Sequence, residues 1–175
     1  HMGVVAVAAP LLVFGLAGTA GDPGRRRPSW FPPVPLSLVE LVVVWAWHAP
    51  ALHRFARHDA LGFIAEQAMF LAAGVLVWLS AFGGERAQRR ERAGAGIAAL
   101  LLTSMHMTLL GALLALTPRL LYAHGAHGTA FSSLDHQHLG GAIMLLVGGA
   151  AYLAGGLWLT AELLRGSLAE RRTIA

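Results

Sequence analysis

No cysteine and no lysine occur among the 175 residues, and only 13% of the chain is charged. Without thiols the chain has no thiolate to offer a metal. Without lysine, all 13 basic residues are arginines. There is no internal repeat, heptad zipper, Walker-type loop, Rossmann glycine pattern or Gly-x-Ser-x-Gly elbow, which removes the nucleotide-binding and hydrolase classes marked by those motifs. What the chain does have is apolar residues: 56% are hydrophobic against about 45–50% in an ordinary soluble domain, and mean hydropathy is +0.60. It also has nine histidines.

Long apolar runs alternate with short charged connectors. They cover approximately 3–18, 34–52, 61–82, 93–117 and 139–164. A helix needs about 20 apolar residues to cross a bilayer, and the last three runs meet that length outright. The second meets it with Glu40 and His48 counted inside. The first is short: a truncated or re-entrant segment. A signal peptide is excluded, because a basic stretch should precede it and Arg25, Arg26 and Arg27 follow it instead. The reading is an all-α polytopic transmembrane helix bundle of four to five spans, forming one domain over 1–175.

The arginines orient it. Arg25, Arg26, Arg27, Arg86, Arg89, Arg90, Arg92, Arg165, Arg171 and Arg172 lie on one side, against Arg54, Arg57 and Arg119 on the other, ten to three. The positive-inside rule puts the ten in the cytoplasm, the N-terminus outside and the C-terminus inside, in a bacterial-type plasma membrane. The net charge of +4 and pI near 11.0 come from those clusters. They suit lipid headgroups and give no support to nucleic-acid binding. Trp78 and Trp158 fall near inner helix ends, and Trp45 and Trp47 near an outer end, where interfacial aromatics are expected.

On this topology the histidines are one-sided. His48, His53 and His58 belong to the outer connector after the second run, and His124, His127, His136 and His138 to the outer loop 118–138. His1 is at the outer end of the first run, and His106 is mid-membrane. Imidazole and thioether without thiolate suit copper delivered from outside, with zinc and haem iron as competitors. Loop histidines are as often merely solvated, and a membrane methionine is more often filler than ligand.

Ionisable groups inside a membrane are expensive and normally face a bundle interior or a functional path. On that ground Glu66, His106 and His48 are candidate metal ligands. His48 precedes Pro50 by two residues, where the helix should kink or stop. Asp135, His136 and His138 add a His-x-His pair, a plausible chelate in an extended loop. Met105 and Met107 diverge by about 200° on a helix and cannot act with His106 as a triplet. In the last run Gly141, Gly148 and Gly155 recur every seven residues, as do Ala142, Gly149 and Gly156. Such a stripe is a packing face for a close neighbouring helix, or for a second copy of the chain in a homo-oligomer.

Several motifs occur in a telling order: Ala8-Ala9-Pro10-Leu11-Leu12; Trp45-Ala46-Trp47-His48-Ala49-Pro50; Glu66-Gln67 leading to Phe70, Gly74 and Trp78; Leu109-Leu110-Gly111-Ala112; and Ser133-Leu134-Asp135-His136-Gln137 with Gly140, Gly141 and Met144. Over nearly the whole chain this resembles the CtaG-type assembly factors of caa3-type cytochrome c oxidase. The resemblance implies a non-enzymatic membrane assembly factor. Its partners would be oxidase subunits and the bilayer, and it would handle or insert copper on the outer face. In such proteins about seven spans are usual, a histidine commonly follows the glutamate where Gln67 stands, and His136 interrupts the usual Asp-Gln pair.

Two other classes compete. A di-histidine haem protein needs two histidines at matched depth, and only His106 is deep. A small metal or proton transporter would use Glu66 and His106 as stepping sites.

Overall fold

The computed structural model describes residues 1–27, 30–122 and 132–174, with side chains in the last segment through Ser167. Among the described residues every regular element is helical. A π-wound stretch Gly3–Ala8 leads into α1 (Ala9–Leu16); then come α2 (Pro23–Arg26), α3 (Pro33–His48), α4 (Pro50–His58), α5 (Ala60–Phe82), α6 (Arg86–Leu116) and α7 (Ser133–Ile143). A second π-wound stretch, Met144–Gly148, joins α7 to α8 (Gly149–Ile174) in one continuous helical run. The fold is an all-α bundle of a membrane protein, as expected.

Three helices are long and apolar enough to cross a membrane: α5, α6 and the run from Ser133 to Ser167. The pair α3 and α4 passes the same test together but is bent by 70°, a broken span or a re-entrant loop, so the bundle has three to four spanning helices. Pro50 explains the break. It disfavours helical backbone at the residue before it, and Ala49 is extended with φ −65° and ψ 137°. The first expected span is a shorter apolar helix, Gly3–Leu16.

Three expectations change. The connector holding His53 and His58 is not a loop but the helix α4. The outer loop 118–138 ends early, because Ser132 and Asp135 form a capping box and start α7 there. Asp135, His136 and His138 are therefore helical. His136 and His138 point about 200° apart, so an extended-loop His-x-His chelate does not form. Among the tryptophans, Trp78 and Trp47 are buried rather than interfacial, while Trp158 is 68% exposed.

The small-residue stripe is used inside the chain. A Cβ on Gly141 would stand 2.7 Å from the Gly111 carbonyl oxygen, and one on Gly155 would stand 2.7 Å from the Trp78 ring. Beside Gly148 are the Met2 sulfur and Met107. Glycine here allows α6 and α7 to touch backbone to backbone. The Gly141/Gly148/Gly155 stripe is thus a packing face within the chain, as its spacing led us to expect.

Alternating helix directions collect the connectors at two ends. One end holds Arg25, Arg26, Arg86, Arg89, Arg90 and Arg92. Asp22, fully buried, is the lock there: its carboxylate accepts from the backbone N–H of Gly18 (3.0 Å), Gly24 (2.8 Å) and Gly84 (2.7 Å). Gly84 has φ +86°, a conformation that favours glycine, and this turn presents its N–H to Asp22. Arg25 bonds Glu85 at 3.0 Å, and Arg89 bonds the Phe82 carbonyl (3.1 Å) and Glu162 (3.0 Å). The opposite end holds the described histidines except His106.

Candidate functional site

At the histidine-rich end the break after α3 and the start of α7 leave a cavity of about 470 Å³. His1, Met2, His48, His53, His136 and Met144 are among the residues lining it. Four imidazoles and two thioethers thus face one space.

The orientation of His48 follows from its helix. Its Nδ1 lies 2.7 Å from the carbonyl oxygen of Val44, one turn back on α3. A carbonyl only accepts, so Nδ1 carries the proton and the Nε2 lone pair is the ring's remaining acceptor. Metal-binding histidines are commonly braced in this way through the other ring nitrogen. His136 is held alike, Nδ1 to the Ser132 carbonyl at 3.2 Å. His138 uses Nε2 on the Thr117 carbonyl at 2.9 Å and does not line the cavity.

The connector after α6 closes over one side. Tyr122 donates to the His48 carbonyl at 2.7 Å, and its ring lies 4.1 Å from that of His53, centroid to centroid. Burial pushes the Tyr122 phenol up to about 12, so it remains a neutral donor at ordinary pH. Gln137 ties the connector to α7, accepting from Leu121 N–H (2.8 Å) and donating to the Arg119 carbonyl (3.2 Å).

Glu66 projects from α5 and is fully buried. The bent-back α4 sets Arg57 in a short charged hydrogen bond with Glu66 Oε2. Gln67 donates both to that oxygen (3.1 Å) and to His1 Nδ1 (3.0 Å), while His1 Nε2 lies 3.6 Å from Glu66 Oε1. Glu66 is therefore a paired carboxylate under the cavity floor, tied to His1 and Arg57, and His1 is turned toward it.

The remaining candidates are apart from this space. His106 is buried on α6 with no hydrogen-bond partner for either ring nitrogen, and it does not line the cavity. Asp135 is exposed, and its carboxylate caps α7 by accepting from Ser132 N–H (3.0 Å) and O–H (2.7 Å). His58 is exposed on α4. His124 and His127 lie outside the described residues. Among the described residues no group of three or more His, Asp or Glu side chains is arranged to hold a metal ion.

Met2, Met144, Arg57 and Tyr122 were outside the candidate set read from the sequence. Met2 and Met144 counted among the outer-side thioethers that would suit copper, a residue type more often filler than ligand in a membrane helix. Arg57 was counted for topology alone, and nothing in its spacing from Glu66 requires their contact until α4 folds back. Tyr122, one of only two tyrosines, carried a compositional signal but no position.

No curated relative and no solved structure matches this chain. Residues 1–166, nearly its whole length and both faces of the cavity, match the family model described as cytochrome c oxidase caa3 assembly factor, and the chain belongs to that family.

Proposed function

We propose that this assembly factor serves its oxidase by capturing a copper ion in the histidine-rich cavity, on the outer face of a bacterial-type plasma membrane, and passing it to oxidase subunits. The arginine bias of ten to three supports that orientation, N-terminus outside and C-terminus inside. The observation that carries the reading is the cavity wall itself, imidazoles of His1, His48, His53 and His136 with the thioethers of Met2 and Met144. Soft thioether and borderline imidazole donors without thiolate suit Cu(I). Among the described residues no ready-made cluster of three or more His, Asp or Glu is present, and this fits a cargo that must be released. Copper here is cargo, and the role is binding and transfer rather than turnover.

Within the site His48 is the principal ligand, with His136 opposite. Glu66 supplies negative charge beneath, neutralised by Arg57 until a cation arrives. His106 is a deeper acceptor. Asp135 and His138 act by shaping the start of α7.

Copper titration of the purified chain against a Cu(I) chelator tests this. His48→Ala should weaken binding on the order of tenfold or more, as loss of even outer-shell support can, and lower the yield of active oxidase in copper-starved cells while the protein remains inserted. Unchanged affinity in His48→Ala and Met144→Ala together would refute copper capture at this cavity. Copper-dependent flux into proteoliposomes would instead make the chain a transporter.

A further inference from the structure

Half-way along α3, away from the cavity, lies a second polar group that the copper reading does not use. Glu40 is fully buried, and so are Ser37 on the same helix, Thr103 on α6 and Tyr152 on α8. Tyr152 donates a short hydrogen bond to Glu40 Oε1, Thr103 Oγ1 lies 3.2 Å from Oε2, and Ser37 Oγ lies 3.0 Å from Thr103 Oγ1. Three helices thus converge on one carboxyl group. Among the described residues no arginine or histidine forms an ion pair with it; the ion pairs found engage Glu66, Glu85 and Glu162.

An uncompensated carboxylate at this depth would be costly. A bound cation removes the cost, and the arrangement of oxygens selects which one. An alkali ion wants several oxygens around a point. Here the four groups are bonded in sequence, Ser37 to Thr103 to Glu40 to Tyr152, each already at hydrogen-bond distance from the next. That is a wire for a proton.

The wire is satisfied in both protonation states. With Glu40 ionised, Ser37 donates to Thr103, Thr103 donates to Oε2 and Tyr152 donates to Oε1. With a proton on Oε2, Glu40 donates to Thr103 and Thr103 donates to Ser37. The Ser37 hydroxyl then turns to a carbonyl of the preceding α3 turn, as helical serines do. Thr103 and Ser37 reverse direction together, so no hydroxyl proton is left without an acceptor by the change. Ser37 is one turn nearer the arginine-rich end than Glu40. In the other direction the next titratable group is His106, one turn from Thr103 along α6, with neither ring nitrogen bonded. Tyr152 is the titratable group from α8, and α5 contributes the Trp78 ring, 5.4 Å from that of Tyr152.

We infer that Glu40 is a proton-binding site in the centre of the bundle, held as a neutral carboxylic acid whose proton exchanges along the Thr103–Ser37 hydroxyls. Infrared spectroscopy of the full chain in detergent tests it. The wild type should show a protonated-carboxyl C=O band that Glu40→Gln abolishes and that shifts on transfer to D2O. Thr103→Val should keep the band but slow its D2O shift. Tyr152→Phe, which retains the acid and loses one hydrogen bond, should move it to higher frequency, and this reads the site even if Glu40→Gln fails to fold. A Glu40→Gln spectrum that lacks no acid band overturns the inference, as does a band that never shifts in D2O. Stabilisation of the wild type, but not Glu40→Gln, by sodium over potassium would assign an alkali ion instead and equally overturn it. None of these readouts involves copper.

Discussion

The two ends of the bundle both gather polar groups and use them in opposite ways. At the arginine-rich end the groups engage one another: Asp22 takes three backbone N–H donors, and Arg89 and Arg92 cap the carbonyls that end α5. At the histidine-rich end the helix breaks, and four imidazoles and two thioethers face a cavity of about 470 Å³. A buried polar group with all its partners is a fastener. One that lines a cavity can be offered to a ligand. The difference lies in the connectors, since glycine-rich turns at the first end bring backbone to side chain, while Pro50 at the second forces helices apart.

Gly141→Leu should affect both ends most, because the side chain would have to enter the Gly111–Ala115 backbone. Overpacking of this kind costs about 1–3 kcal/mol or more, and thermal unfolding in detergent should show the largest drop of any variant here. Wild-type stability would mean that α6 and α7 do not cross at this point.

Asp22→Ala comes next and should separate the ends. It strands buried N–H donors at about 1–3 kcal/mol each where water cannot replace the carboxylate. Stability should fall while copper affinity stays at the wild-type value. A parallel loss of copper binding would show the ends to be coupled.

Arg57→Ala should have a smaller effect on stability and a larger one on the site. Breaking a fully buried pair costs about 3–5 kcal/mol, but Arg57 is 30% exposed and the loss should be roughly half that. Glu66 then loses its counter-charge, and a cation in the cavity should bind more tightly. Weaker copper binding in this variant would mean that Arg57 organises the site instead of competing with the metal.

Asp135→Ala should do least: a slight loss of thermal stability from the α7 cap, with copper binding retained. A loss of binding as large as that of His48→Ala would restore Asp135 as a ligand.

Much of this contrast is readable along the chain. The α3 break follows from Pro50, and the separation of arginines from histidines follows from alternating helix direction, both local or counting arguments. The start of α7 was also readable, since Ser132 and Asp135 stand three apart as a capping box, but the surrounding loop composition hid it. The glycine stripe announced close packing without naming a partner. Nothing local told that Gly141 meets Gly111, that Arg57 turns back onto Glu66, or that Ser37, Thr103 and Tyr152 meet at Glu40.

The sequence by itself determined an all-helical membrane bundle, its broken third helix and its family, because hydrophobic length, proline and ordered motifs act within one segment. The tertiary structure alone decided which imidazoles share a cavity, which carboxylate has a cation and which has only hydroxyls. Those outcomes depend on the rotation and depth of helices 60 and more residues apart in sequence, as the Ser37–Thr103 and Tyr152–Glu40 contacts show. Periodicity within one helix carries no information about the face its neighbour presents.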